Sequence, residues 1–209
     1  MGEKGLQTRR RLLEATAELI KRKPLRELSV SDITKLAKTS ASTFYVYFAD
    51  VPEAVLGVIR GVSQSTPELL ELLQEPWDAK SADAKARRFV ASYFETWRAN
   101  ADLFRVRNLA ADEGDPRFIT ARNLSVSPLL EALAVRIGRG QEDGRLTREI
   151  DARSTGAALV AMIERLASVP EATIAAPITK MTLIDAVAFF ATQVLFPDQD
   201  GQEAADAAA

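Results

Sequence analysis

The sequence predicts an all-α protein built from two unequal units, and three observations support this. Apolar residues recur at intervals of three and four along most of the chain. No segment keeps the two-residue alternation that marks a half-buried strand. Serine or aspartate precedes most of the helical patterns, as N-capping residues do. With 209 residues, 47% of them hydrophobic, the chain is long enough to bury a small core and a larger one.

Three short helices are predicted within the first 50 residues. The first extends from Thr8 to Arg22, has an apolar stripe that includes Thr16, and is stopped by Lys23-Pro24. The second begins at Ser29, with Asp32 at the capping-box position. Its expected inner face comprises Val30, Ile33, Leu36 and Ala37.

After a break at Lys38-Thr39, Ser40 can cap a third helix that continues through Phe48. Its expected inner face comprises Ala41, Phe44 and Phe48. Two short helices joined by a turn of three or four residues predict a helix-turn-helix.

The remaining pattern predicts a linking helix, capped by Asp50, and a larger helical domain. Residues 1–50 are assigned to the helix-turn-helix domain, 51–65 to the linking helix, 66–196 to the second domain and 197–209 to a disordered tail. Within the second domain the most regular helix starts after Ser81 and has an aromatic face. A loop is expected from Gly138 to Gly144, and Asp151 is expected to cap the penultimate helix.

Composition removes most enzymatic chemistry. The chain has no cysteine and no histidine, so thiolate nucleophiles, Ser-His pairs, imidazole metal ligands and sulfur-ligated metals are excluded. The glycines also have the wrong spacing for a phosphate or dinucleotide loop. We therefore expect no enzyme, no cofactor and no metal site. The weak enzymatic alternative is Tyr93 beside a carboxylate.

Charge is unevenly distributed along the chain. Residues 1–50 carry a net charge of +4 and the rest carries -6, for a total of -2. A basic end on an acidic body suits a protein that presents one end to phosphates, although a solvated charged face explains the charge alone equally well. The N-terminus lacks an apolar signal region, and no apolar run is long enough to span a membrane. A cytoplasmic location and no membrane contact are expected.

The third helix carries polar side chains outside its expected core positions. From its N-terminal end, Ser40, Ser42 and Thr43 could reach base edges or phosphates in a major groove. The hydroxyls of Tyr45 and Tyr47 could donate to backbone oxygens, although both could also be partly buried core residues.

The segment from Thr8 to Val62 strongly resembles the DNA-binding domain of the tetracycline-repressor (TetR/AcrR) family. The motifs Ser29-Val-Ser-Asp-Ile and Ser42-Thr-Phe-Tyr-Val-Tyr-Phe48 carry this resemblance, which covers about a quarter of the chain. It implies an all-helical homodimer of about nine helices per subunit, with a shared DNA-binding head and a divergent C-terminal domain that binds an inducer.

By the resemblance, the third helix and its surroundings contact DNA. The implied contacts are Ser29 and Ser31 at the start of the supporting helix, Ser40, Ser42 and Thr43 on the recognition helix, and Tyr45 and Tyr47 at phosphates. Lys38 stands where the family often has glycine, so either the turn differs or Lys38, with Thr39, adds a phosphate contact. Val51 replaces a frequent lysine, a loss that the cluster Arg9, Arg10 and Arg11 could offset unless it is a solvated face.

The predicted function is that of a repressor released from a palindromic operator in double-stranded DNA by a mostly apolar small molecule. The loop from Gly144 to Asp151 resembles the one before the family's penultimate helix, which assigns residues 152–196 to the homodimer interface. The candidate ligand residues are Phe89, Tyr93, Phe94, Trp97, Phe104, Asn108, Phe118, Arg122 and Met162, with plain core as the alternative for the aromatic stripe. Activation of transcription, rather than repression, stays open. The alternative functions are those of a helical interaction module and of a small-molecule-binding protein without DNA activity.

Overall fold

The computed structural model describes residues 2–62, 66–174 and 178–196, and the predicted tail 197–209 lies outside them. The described residues form ten α-helices and two 3₁₀ turns, with no strand, so the all-α prediction is confirmed with one helix more than about nine. The helices are α1 (Glu3–Ile20), α2 (Val30–Ala37), α3 (Ala41–Tyr47), α4 (Val51–Ile59), α5 (Pro67–Gln74), α6 (Ala82–Ala99), α7 (Ala101–Asp112), α8 (Pro116–Glu142), α9 (Ala152–Ala167) and α10 (Lys180–Leu195). No helix in these ranges is both long and apolar enough to cross a membrane.

The chain divides into two compact units. The N-terminal unit comprises residues 1–63 and 100–125, and the C-terminal unit comprises residues 64–99 and 126–209. Residues 100–125 therefore pack with the first four helices, whereas the sequence pattern assigned them to the second domain. The reason is a buried apolar cluster to which α1 and α4 contribute Ile20 and Val55, and to which α7 and α8 contribute Ala110 and Phe118. The functional boundaries at residues 50 and 66 stay a prediction.

A second small core holds the helix-turn-helix together. Leu12, Ile33, Phe44 and Phe48 are buried in it, with Ala54 of α4. Two predicted inner positions are wrong: Leu36 is 44% exposed and Ala41 is exposed. In α2 the side that faces the core is formed by Val30, Ile33, Thr34 and Ala37, so Leu36 points away from it. In α3 the first residue that reaches the core is the fourth one, Phe44.

Local capping explains where these helices begin. The Ser29 hydroxyl accepts a hydrogen bond from the Asp32 amide at 3.1 Å, and the Asp32 carboxylate accepts one from the Ser29 amide at 3.3 Å, so the predicted capping box is confirmed. The Ser40 hydroxyl caps α3, and the Asp50 carboxylate caps α4. Lys38 ends α2 with φ of 52°, the left-handed conformation that usually favours glycine. The turn therefore keeps its geometry without the glycine.

The C-terminal unit has its own larger core around α6. Its buried residues come from α5, α6, α8, α9 and α10, and ion pairs join Arg87 to Asp185 at 2.7 Å and Glu95 to Lys180 at 2.6 Å. The loop predicted from Gly138 onward is wrong, because α8 continues to Glu142. Gly140 has a packing reason instead: a Cβ there would lie 2.8 Å from a methyl carbon of Leu146.

Candidate nucleic-acid interface and cavity

The short helix α3 separates its side chains cleanly into two faces. Phe44 is fully buried, and Phe48, which follows the helix, is almost so. Ala41, Ser42, Tyr45 and Val46 are exposed on the opposite side, while Thr43 and Tyr47 are half-buried on the flank. The exposed face of α3 is therefore formed by residues 41, 42, 45 and 46, and the DNA contacts predicted for Thr43 and Tyr47 on its flank stay a prediction.

Two members of this face, Ala41 and Val46, are not among the predicted DNA contacts, and Val46 is 75% exposed. The valine side chain has no hydrogen-bonding group, so its residue type alone does not indicate a DNA contact. The signal that could have identified it is its phase, since Val46 is one turn after Ser42 and two positions from both buried phenylalanines.

Hydroxyl groups cluster at the start of α3. The Ser40 Oγ lies 2.8 Å from both the Ser42 Oγ and the Thr43 Oγ1, and it accepts from the Thr43 amide at 3.1 Å. Ser40 is thus engaged in capping, and Ser42 is an exposed member whose hydroxyl does not cap the helix and can face a partner.

The predicted contacts around the turn differ in availability. Ser29 is occupied by the capping box and also donates to the Asp32 carboxylate at 2.8 Å. Ser31 and Lys38 are exposed, and Thr39 is half-buried with its amide bonded to the Thr34 carbonyl. Hence Ser31 and Lys38 are free to meet phosphate, whereas Ser29 and Thr39 hold the turn.

The arginines of α1 also differ. The Arg9 guanidinium lies 5.5 Å from the centre of the Phe48 ring, so it packs against the core residue that follows α3. Arg10 pairs with Glu14 at 3.3 Å, but both side chains are mostly exposed and the pair is weak. Arg10 can therefore exchange Glu14 for a phosphate at little cost.

An ion pair links the end of the helix-turn-helix to α8 within the N-terminal unit. Arg117 donates to the Asp50 carboxylate at 2.9 Å and to Asp115 at 2.9 Å. Hydrogen bonds to Asp115 and Asp50 raise the pKa of Arg117, and the same arginine lowers the pKa of Asp115. Sequence reasoning missed this pair, because nothing in the local pattern connects Asp50 with a residue so far along the chain.

A cavity of about 700 Å³ lies in the N-terminal unit, between α4 and the first part of α8. This volume is in the range of sites that bind small molecules. Its walls are mainly apolar with a few charged groups, and they comprise Glu53, Leu56, Ile59, Arg60, Val62, Pro116, Arg117, Thr120, Ala121, Leu124 and Ser125. The nine residues predicted to bind a ligand are all absent from this wall.

Those nine residues are distributed over both units. In the C-terminal unit, Phe89, Tyr93 and Phe94 of α6 belong to the buried core, and Met162 packs against it. Trp97 of α6 is 2% exposed. The aromatic stripe is therefore core in this structure, and its role in binding a ligand stays a prediction.

The other four predicted ligand residues lie in the N-terminal unit. Phe104 and Phe118 are buried there. Asn108 accepts hydrogen bonds from Arg107 at 3.0 and 2.9 Å, and Arg122 donates to Asp112 at 2.8 Å. These contacts give each polar side chain a structural partner, and ligand binding by the four residues stays a prediction. Within the described ranges, no group of three or more carboxylates is placed to hold a metal ion.

Two family models match the sequence. The model described as bacterial regulatory proteins, tetR family, matches residues 12–50. The model described as tetracyclin repressor-like, C-terminal domain, matches residues 69–192. A comparison with curated proteins gave no match.

Solved structures share the fold at low sequence identity. GusR from Salmonella enterica has a TM-score of 0.67 and 17% identity, over 93% of this chain and 98% of that one. FadR from Bacillus subtilis, in complex with stearoyl-CoA, has a TM-score of 0.66 and 16% identity, over 90% and 98%. A Saccharomonospora viridis protein in complex with choline has a TM-score of 0.64 and 20% identity, over 88% and 95%.

Proposed function

The chain belongs to the tetracycline-repressor family of bacterial transcriptional regulators, and from this membership we propose that it represses transcription by binding a palindromic operator until a small molecule releases it. The observation that carries the proposal is the exposed face of α3, where Ser42 and Tyr45 stand on a helix anchored by Phe44 and Phe48. A helix that is short, rigidly seated and exposed on one face can enter a major groove.

The proposed DNA contacts fall into two classes. Ser42 and Tyr45, on the exposed face, reach base edges, and Thr43 and Tyr47, on the flank, donate to phosphates. Ser31, Lys38 and Arg10 add exposed donors around the turn, with Ser29, Thr39, Ser40 and Arg9 supporting them. Lys38 and Arg10 supply the charge that makes such binding depend on salt.

We assign homodimerisation to residues 152–196. Phe189 and Phe190 of α10 are 61% and 53% exposed, and Met181 on the same helix is also exposed. Large apolar side chains exposed together on one helix are typical of an interface that a second copy covers. A dimer would pair two reading helices, which a palindromic operator requires because one short helix reads few bases.

The cavity between α4 and α8 is a second candidate inducer site, in addition to the residues predicted from sequence. It touches α4, whose first turn is capped by Asp50 immediately after the helix-turn-helix, and it includes Arg117, which binds Asp50. A ligand that prefers one arrangement of this pair would change operator affinity by about 1–3 kcal/mol of coupling free energy. Relatives in the same fold hold stearoyl-CoA or choline, so the scaffold admits chemically different ligands. The proposed location of the protein is the cytoplasm.

The first test is fluorescence anisotropy with DNA selected by the protein from a random-sequence pool. Wild type is compared with Ser42→Ala and Tyr45→Phe at two salt concentrations, and Thr147→Ala serves as the control that removes an exposed hydroxyl from the C-terminal unit. We expect salt-dependent binding that Ser42→Ala and Tyr45→Phe weaken and that the control leaves unchanged. If the pool yields no bound sequence, the protein is an interaction module or a small-molecule-binding protein without DNA activity.

A further inference from the structure

The exposed face of α3 contains two apolar side chains among its four members. Successive residues of a helix are rotated by about 100°. On this spacing Ala41, Tyr45, Ser42 and Val46 occupy one continuous arc, and its Val46 end lies farthest from Phe44 and Phe48. Val46 is 75% exposed and Tyr45 59%. Burial and helix phase thus place Val46 at the edge of the arc, one turn after Ser42.

The chemistry of this arc is unusual for a surface that reads DNA. Residues 41–47 include no charged side chain and no amide, so the bidentate contacts that arginine makes with guanine and asparagine or glutamine make with adenine are absent from α3. What the arc offers is the hydroxyls of Ser42 and Tyr45 and the methyl groups of Ala41 and Val46. The apolar feature in a major groove that matches such methyl groups is the C5-methyl of thymine.

We propose that Val46 is a specificity-determining residue that recognises the C5-methyl group of a thymine in each half of the operator, beside the contact made by Ser42. The inference rests on the proposed function, because it requires α3 to lie in the major groove. A polar base edge facing Val46 would lose its hydrogen bonds to water without replacement, so the site favours thymine over cytosine at that position.

The size of the effect follows from one buried methyl group. Removing a single methyl contact weakens binding by about fourfold. In a two-fold symmetric complex both half-sites lose the contact, so the combined loss is about fifteenfold.

The test replaces each thymine of the selected operator by deoxyuridine, which removes only the methyl group. Anisotropy titrations compare wild type, Val46→Ala and the matched control Val135→Ala, which changes an exposed valine of α8 in the C-terminal unit. We expect one symmetric pair of positions where deoxyuridine weakens wild type and the control by about fifteenfold and leaves Val46→Ala unaffected. Val46→Ala itself should bind the unmodified operator with the weakened affinity.

Two results would overturn the inference while the proposed function stands: wild type binds the selected operator but no thymine substitution weakens it, or Val46→Ala responds to deoxyuridine as wild type does. A pool without any enriched sequence would instead overturn the proposed function and this inference together. Circular dichroism of Val46→Ala checks the fold, which an exposed substitution should leave intact.

Discussion

The helices α3 and α6 are both rich in aromatic residues. The sequence predicts DNA contacts for α3 and small-molecule contacts for α6. In α6 the aromatic side chains of Phe89, Tyr93, Phe94 and Trp97 are all at most 5% exposed. In α3 only Phe44 is buried, and the neighbouring Tyr45 is 59% exposed. The same residue class therefore builds a core in one helix and an exposed surface in the other.

The difference depends on how many elements surround each helix. α6 has 18 residues and packs against α5, α9 and α10, and its aromatic side chains lie on the side that these helices cover. α3 has seven residues, and its one covered side rests on the small core with Leu12 and Ile33. An aromatic residue is thus available to a partner only when it lies on the uncovered side of its helix, which residue type alone does not reveal.

The largest expected effect is the loss of a buried ring. Phe89→Ala should lower the free energy of unfolding by about 3–5 kcal/mol, because the substitution leaves a cavity in the core of the C-terminal unit. Denaturant unfolding monitored by circular dichroism measures the change. Tyr45→Ala, the matched control on α3, should change stability by less than about 0.5 kcal/mol. Similar losses for both variants would contradict the contrast between the two helices.

For DNA binding we expect the opposite ranking, with the larger effect from the variant in α3 and the smaller one from the variant in the C-terminal unit. Tyr45→Ala should weaken operator binding at least about tenfold, which corresponds to about 1.4 kcal/mol, because a base or backbone contact is removed. Anisotropy with the selected operator provides the measurement. Leu130→Met, which keeps volume in the C-terminal unit, should bind as wild type does. Unchanged affinity of Tyr45→Ala would show that the exposed side of α3 is not the reading surface.

A smaller effect concerns the helix that supports α3. Ser29→Ala removes the hydroxyl that caps α2 and should destabilise the protein by about 1 kcal/mol. Ser29→Gly should lower the free energy of unfolding by only about a few tenths of a kcal/mol, because glycine is tolerated at an N-cap. Thermal unfolding of both variants distinguishes a capping role from a purely DNA-contacting role, for which stability would not change.

The smallest expected effect is a pH dependence of the same capping box. The Ser29 side chain, and then Lys23, lower the pKa of Asp32 below its usual value. The unfolded chain therefore takes up this proton first, and the stabilising contribution is present above about pH 4 and declines as the pH falls below it. The difference in unfolding free energy between wild type and Asp32→Asn should thus be larger at pH 6 than at pH 3. An equal difference at both pH values would contradict the role of the charged carboxylate.

Much of the fold was predictable because its determinants are local. The caps Ser29, Ser40, Asp50 and Asp151 start their helices as expected, since each acts on amides within three residues. Gly138 and Gly140 misled the prediction of a loop, because a glycine inside a helix and one that ends a helix look identical in sequence. On α2 and α3 the sequence placed Leu36 and Ala41 inside although both are exposed, and the predicted DNA contacts do not include the exposed Val46.

By itself, the sequence determined the helical class, the helix-turn-helix and the family, because periodicity, caps and motifs are properties of neighbouring residues. Only the tertiary structure decided which side of α3 is free, that residues 100–125 pack with the first helices, and that Arg117 binds Asp50. The cavity between α4 and α8 likewise exists only in the folded structure, because its walls come from distant parts of the sequence. These features depend on which helices meet, and that choice is made by long-range packing of apolar faces that many pairings of the same helices could satisfy locally.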